Sequence, residues 1–347
     1  MIVKHGWMAA GALTLAMAFA DGAAAQDNVL SVVHYGGTPA KQMRDYCFDA
    51  AEKALGFKIV DQSRTDYAKI KAMVQSGNIE WDVALVNRLL VYRGAQEGLW
   101  EEIDYKLIDP KVNGPLEPLK HSVAYLTYSQ GLGYSTEQWK DKAKAPTGWK
   151  DFWDVKNFPG PRSMDNRVRY ALEAALVADG VPPDKLYPLD IERGFKKLDE
   201  IKPHVRVWAN PPVQGLELIA SGEVVMAMTA HHEVIAAQNK KVPVEFVWNS
   251  SLYIPNDWSV VKGTKKKTMA MQMIKFCTGP EPEVELARQS VFGPPNPDAV
   301  KLLTEAEAAR LPTAPQNLKG AAYFDSVWWG DNEEKLIERW NAWLLKK

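Results

Sequence analysis

Residues 29–43 read VLSVVHYGGTPAKQM. Val29 to Val33 is a mostly apolar run and reads as a strand. Gly36 and Gly37 then stand where the chain must turn. Thr38 and Pro39 follow, a residue suited to capping a helix and a proline suited to its first position. Met43, Cys47, Ala50 and Ala54 then recur at helical spacing. The stretch predicts a strand that hands over to a helix through two glycines. Glycine leaves backbone N–H groups open to close approach. A helix N-terminus carries about half a positive charge, so the turn suits a carboxylate or another anion.

The same alternation continues. Phe57 to Val60 reads as a strand, and Asp66 is placed to cap a helix carrying Tyr67, Ile70 and Val74 that stops at Gly77. Trp81 to Val86 is almost wholly apolar, as in a parallel sheet covered on both faces. A further helix runs from about Leu89 to Gly98. This β-α-β-α-β order predicts an α/β domain with a parallel sheet. Residues 121–136, HSVAYLTYSQGLGYST, read as extended chain leaving it. A second α/β unit follows, with helices over 166–179, 190–201, 211–221 and 231–239 and strands over 205–208, 223–229 and 242–248. Leu252 to Val261 reads as the return crossing. Helix 267–278, a proline-rich turn at 293–297 and a terminal helix over 332–345 with Leu336, Trp340 and Trp343 complete the chain. Two units joined by two crossings imply a cleft, the usual place for a small ligand.

Composition narrows the class. The first residues read as an export signal: Lys4 and His5, an uncharged stretch from Met8 to Ala20, and the small residues Ala23-Ala24-Ala25. Cleavage after Ala25 is expected, leaving Gln26 first. That residue is not cysteine, so a bacterial lipid anchor is not indicated. Without residues 1–25 the chain keeps 41 basic and 42 acidic side chains, a balance that excludes the basic stripe of a nucleic-acid binder. Cys47 and Cys277 each fall on the apolar face of a predicted helix. An exported chain permits a disulfide between them, and free buried cysteines also fit the pattern.

Enzyme signatures are missing. There is no Gly-x-Ser-x-Gly elbow and no P-loop. Gly131-Leu132-Gly133 lacks the third glycine of a dinucleotide loop. His232-Glu233-Val234-Ile235-Ala236 opens like a zinc-protease helix but has alanine in place of the second histidine, so His231 and His232 read as an exposed helix start. No metal, no cofactor and no catalytic residue is expected. An exported hydrolase with a catalytic set scattered in sequence is the competing class.

Several stretches, in order, resemble the periplasmic solute-binding proteins of ABC importers, and in particular the extracellular solute-binding family that includes spermidine/putrescine-binding proteins. They are the opening strand and loop at 29–38, Asp66-Tyr67-Ala68-Lys69-Ile70, Gly77 with Trp81-Asp82-Val83, and Thr147-Gly148-Trp149-Lys150-Asp151-Phe152-Trp153. Ala220-Ser221-Gly222-Glu223-Val224, Ile274-Lys275-Phe276 and the Gly-Pro-Pro-Asn turn at 293–296 complete the series. The resemblance implies an α/β fold of two lobes, each a mostly parallel sheet flanked by helices, with the two crossings as hinge. The first lobe is then 26–130 with 255–310, the second 131–254, and 311–347 a helical segment packed on both. It implies a periplasmic monomer that delivers a small solute to separate permease and ATPase subunits.

The residues of the expected cleft depart from a polyamine site. The opening loop is Tyr35-Gly36-Gly37-Thr38, without an acid. Arg88 follows the third strand, and Met164-Asp165-Asn166-Arg167-Val168-Arg169 stands where an acidic pair is expected. Asn210, read as capping a helix, brings Gln214 one turn further in. Asp257 and Trp258 lie on the return crossing, and Trp329 lies near the C-terminus. These twelve positions (Tyr35, Gly36, Gly37, Thr38, Arg88, Asp165, Arg167, Asn210, Gln214, Asp257, Trp258 and Trp329) are the expected ligand contacts. They suit a solute with a carboxylate or other anionic group. The alternative is a polyamine held by Asp82, Asp165, Glu233 or Asp257.

Overall fold

A computed structural model describes residues 28–210 and 213–346, apart from the side chain of Thr38. The signal segment and its cleavage site lie outside the described residues. Strands β1 (Val29–His34), β2 (Lys58–Ser63) and β3 (Val83–Asn87) form the parallel start of the sheet in the order β2-β1-β3. The near-continuous apolar reading of β1 and β3 has a simple cause. Leu30 and Val32 of β1, with Val83 and Leu85 of β3, enter one core; Val33, Ala84 and Val86 enter another on the opposite face. Alternation is invisible because both faces are covered.

The crossings are strands β4 (Val123–Ser135) and β8 (Val244–Val260), paired antiparallel along most of their length. The separate strand and return crossing expected over 242–261 are one element. A register shift between Gln130/Leu132 leaves extra β8 residues around Ser250, whose φ of 58° is the local sign of the bulge. Beyond it the sheet continues through β7 (Met226–Ala230), β5 (Arg162–Asp165) and β6 (Val205–Ala209). The two lobes therefore share one sheet, β2-β1-β3-β8-β4-β7-β5-β6, with the two-residue β9 (Ala322–Tyr323) beside β8. Strand β5 escaped the sequence reading because it is polar yet wholly buried. Its Ser163 hydroxyl is spent on the Val207 carbonyl at 2.9 Å.

Helices cover both faces. Helix α1 (Thr38–Met43) passes through a π turn (Arg44–Phe48) into α2 (Asp49–Leu55). Thr38 is already helical; the cap position is Gly37. Asp66 caps α3 (Tyr67–Ser76) as expected, accepting from the Lys69 N–H at 3.1 Å, and Asn87 caps α4 (Arg88–Gln96). In the second lobe α5 spans Val168–Ala178, but Arg169 and Tyr170 have non-helical dihedrals, Tyr170 with φ 73°. Helices α6 (Ile191–Ile201), α7 (Gln214–Ala220) and α8 (His231–Asn239) follow, then α9 (Lys267–Cys277) and α10 (Pro280–Ser290). The terminal helix α11 (Ser326–Leu345) begins six residues before its expected start, where Asp325 accepts from the Val327 and Trp328 amides. Its Trp329, Leu336, Trp340 and Trp343 enter the second-lobe core beside Phe195 and Trp208. Among the described residues, no helix is long and apolar enough to cross a membrane.

Cys47, in the π turn, and Cys277, at the end of α9, form a disulfide with Cα atoms 5.1 Å apart. It joins positions 230 residues apart, so it removes a large loop from the unfolded ensemble. Cys47→Ser with Cys277→Ser is expected to lower the unfolding free energy by about 2–4 kcal/mol. Urea unfolding of both proteins under non-reducing conditions checks this; equal midpoints would contradict it.

Candidate functional site

The strand-to-helix turn keeps its glycines for conformational reasons. Gly36 and Gly37 have φ of 83° and 73°, and a Cβ on Gly36 would stand 3.0 Å from Ser63 Cβ. The amide of Gly36 is not open to a ligand. It donates to His34 Nδ1 at 3.0 Å, and His34 Nε2 faces Asp61 at 3.0 Å. The anion nest expected at this turn is thus partly closed by the protein itself.

Beside it lies a cleft of about 550 Å³ between the lobes. First-lobe elements bring Tyr35, Gly36, Asn87, Arg88 and Asn256 to it. The crossing β4 brings Tyr128, second-lobe elements bring Arg167, Arg169, Tyr170 and His232, and the segments that follow bring Phe292 and Phe324. Of the twelve expected contacts, Tyr35, Gly36, Arg88 and Arg167 line it. Gly37 is one residue outside the lining, and the Thr38 side chain lies outside the described residues.

The others are placed elsewhere, each for a visible reason. Asp257 is fully buried and stands behind Arg88, its Oδ2 accepting from Arg88 Nε at 2.9 Å and from the Ser122 hydroxyl at 2.7 Å. Asp165, also buried, stands behind Arg167: its Oδ1 accepts from the Arg167 Nε at 2.8 Å and from the Arg167 amide at 3.0 Å, and its Oδ2 from Nη2. Trp258 packs in the first-lobe core against Tyr125 at 5.0 Å and Phe48 at 6.2 Å. Trp329 is buried with its Nε1 on Glu173, 2.6 Å away, and only its stacking partner Phe324 reaches the cleft. Gln214 turns its Oε1 to the Asn210 amide at 3.1 Å, and Val213 holds the cap position assigned to Asn210. Neither residue lines the cleft.

A third arginine follows the same arrangement. Arg169 Nη1 donates to Glu333 Oε1 at 2.8 Å, and Glu333 Oε2 accepts from Arg93 Nη2 at 2.8 Å. Helix α11 thereby ties α4 to α5. All three cationic lining residues have a carboxylate one layer behind them, and no aspartate or glutamate is among the described lining residues. Burial opposes the charge of Arg167, but the Asp165 bonds outweigh it and hold the guanidinium protonated. Arg88 Nη2 and Arg169 Nε have no acceptor among the described residues. Burial pushes the Tyr35 hydroxyl up: half of the side chain is exposed, but its tip sits in the cleft.

The histidines overturn the exposed-helix reading. His231 is completely buried; its Nδ1 accepts from the Ser129 amide at 3.0 Å, so Nε2–H donates to the Val291 carbonyl at 2.8 Å. Burial lowers its pKa to about 4, and burial with the neighbouring His231 lowers that of His232 to about 3. No pattern in the sequence distinguishes these rings from a solvated pair. Tyr128, Tyr170, Phe292 and Phe324 were likewise missed, because aromatic residues read equally well as core.

The chain belongs to the bacterial extracellular solute-binding protein family, whose model matches residues 47–316. It is 38% identical over 341 residues to the gamma-aminobutyric acid-binding protein of Pseudomonas aeruginosa, covering 95% of each chain. It is similar in structure to an ABC transporter substrate-binding protein from Bradyrhizobium japonicum, with a TM-score of 0.85, 34% identity, and 91% of this chain and 99% of that one covered. A GABA receptor structure matches with a TM-score of 0.82, 31% identity, and 92% and 98% coverage. The chain is therefore an exported substrate-binding component of an ABC transporter, and the neighbouring structures are two-lobed, as expected.

The neutral His231 sets an acid limit. Its folded pKa of about 4 lies below the unfolded value near 6.5, so the unfolded chain alone takes the proton between them. Stability from this site is intact above pH 6.5 and falls toward pH 4 by up to about 1.4 kcal/mol per pH unit. His231→Gln keeps a donor and an acceptor without that titration. The stability gap between wild type and variant should narrow from pH 7 to pH 5 in urea unfolding; a constant gap would contradict the assignment.

Proposed function

We propose that the solute is a short zwitterion with a carboxylate at one end and an ammonium at the other, the class of γ-aminobutyrate. The observation that carries this is the cleft's charge: Arg88, Arg167 and Arg169 line it, and every nearby carboxylate paired to them stands behind. A guanidinium is the natural partner of a carboxylate. Two relatives, the gamma-aminobutyric acid-binding protein and the GABA receptor, are named for a ligand of the same class. Arg167 is the chief carboxylate contact in this reading. Asp165 occupies its Nε and Nη2, leaving Nη1 for the solute.

A polyamine is disfavoured on the same ground. Both of its ends are cations, so one would stand against the lining arginines with no facing carboxylate to offset them, since Asp165 and Asp257 are already committed to arginines. The protein binds its solute without turnover. The lobes, 26–130 with 255–310 and 131–254, close about β4 and β8, and the closed form engages the permease and ATPase subunits. The working form is a periplasmic monomer cut after Ala25.

Calorimetric titration of the mature chain tests the solute class, with γ-aminobutyrate, glutarate, butyrate and putrescine as ligands. Carboxylates should bind and putrescine should not; binding of putrescine alone would overturn the reading. Arg167→Ala should weaken γ-aminobutyrate by about 1.5–3 kcal/mol, the worth of a hydrogen bond to a charged group. Unchanged affinity would remove Arg167 from the site.

A further inference from the structure

One wall of the cleft, built from β4, α5, α8 and the segment after α10, has a polarity along its length. At one end the Arg167 guanidinium lies 4.7 Å from the Tyr170 ring centroid. The Tyr170 hydroxyl is 3.3 Å from that of Tyr128. The Tyr128 ring meets the His232 ring edge-on at 5.7 Å, and His232 lies 4.7 Å from Phe292. The row therefore runs from a cation, over two tyrosines, to an imidazole flanked by aromatic rings.

His232 lines the cleft with neither ring nitrogen bonded to the described residues. Its Nδ1 is sealed from solvent and has no hydrogen-bond partner among the described residues, and its ring makes no other hydrogen bond to them. Its neighbour His231 is by contrast satisfied at both nitrogens. The other ring nitrogen of His232, Nε2, also has no hydrogen bond to the described residues but is not sealed, so in a residue that lines the cleft it is the atom open to a partner brought from outside. The adjacent acid, Glu233, does not compete. It is outside the lining, and its Oε2 accepts from the Thr229 hydroxyl at 3.1 Å and the Ala230 amide at 3.4 Å.

We propose that His232 is the specificity-determining residue that receives the ammonium end of the solute, with Arg167 holding the carboxylate at the far end of the same wall. This rests on the zwitterion reading above. A neutral imidazole has one lone pair to offer an N–H donor, and the faces of Tyr128 and Phe292 add the attraction of aromatic rings for a cation. With its pKa lowered to about 3, chiefly by burial, the ring stays neutral through the physiological range and does not repel the ammonium. The cleft thus accepts a cation without presenting an acid, which explains how one site takes a zwitterion and rejects a diamine.

The test uses γ-aminobutyrate and butyrate, which differ by the ammonium alone, on the mature wild type, His232→Leu and His232→Gln. Calorimetry gives the affinities and thermal melts confirm folding. Wild type should prefer γ-aminobutyrate. His232→Leu should weaken γ-aminobutyrate tenfold or more and leave butyrate unchanged or tighter. His232→Gln, which keeps a neutral acceptor, should recover most of the loss and provides the decisive comparison if the leucine variant does not fold. Equal binding of the two ligands by wild type, or a leucine variant that weakens both alike, overturns the role of His232 and leaves the carboxylate reading intact. Failure of wild type to bind any carboxylate overturns both.

Discussion

The pairing of Arg88 with Asp257 is the constraint on which the site depends. Arg88 opens helix α4 just beyond β3, and Asp257 lies on β8 opposite Val86 of β3. The pair joins residues 169 apart in sequence and fixes the first βαβ unit to the returning crossing. A charge buried there alone would be prohibitive, and a pair is tolerable only when its geometry and hydrogen bonds are good. The Ser122 hydroxyl donates to Asp257 and the Glu117 carbonyl accepts from Arg88, while Arg88 Nη2 has no partner among the described residues. Arg167 with Asp165 and Arg169 with Glu333 repeat the solution on the other lobe. Each carboxylate holds a guanidinium in place by a hydrogen bond.

This layering links electrostatics to motion. Glu333 serves Arg169 and Arg93 together, so α11 connects the cleft wall to α4. Nearby, the Tyr92 hydroxyl donates to Asp331, and a Cβ on Gly330 would stand 2.2 Å from the Tyr92 ring. The neutral His231 holds the middle of β4, through Ser129, to the end of α10 at Val291. Of these, the His231 tie reaches β4 at Ser129, beside the register shift between Gln130/Leu132. The closure proposed above would fall on the β8 bulge and on these few polar ties, because close-packed cores deform little.

Much of this was legible in the chain. Val29–Val33 and Trp81–Val86 announced buried parallel strands because apolar residues on both faces leave no other reading. Asp66 and Gly77 marked their helix, since capping chemistry is local. Arg88 and Arg167 were legible as cleft residues because the ends of strands in an α/β sheet point there. The boundaries that failed were those where local signals are silent: β5 is polar but buried, and α11 starts at Asp325 without an apolar run before it.

The sequence by itself determined the fold class, the two crossings and the cationic nature of the cleft, because periodicity, caps and turn residues act within a few positions. Tertiary structure alone decided which groups face the solute. Asp165, Asp257, Trp258 and Trp329 have the chemistry of ligand contacts, and packing sends all four behind the wall. His231 and His232 have the look of a solvated helix start, and the strand β4 and residues 291–292 close over them. Burial, and the partner each polar atom finds, are set by chain segments far apart in sequence, 169 residues for Arg88 and Asp257 and 240 for Arg93 and Glu333. No local pattern encodes them.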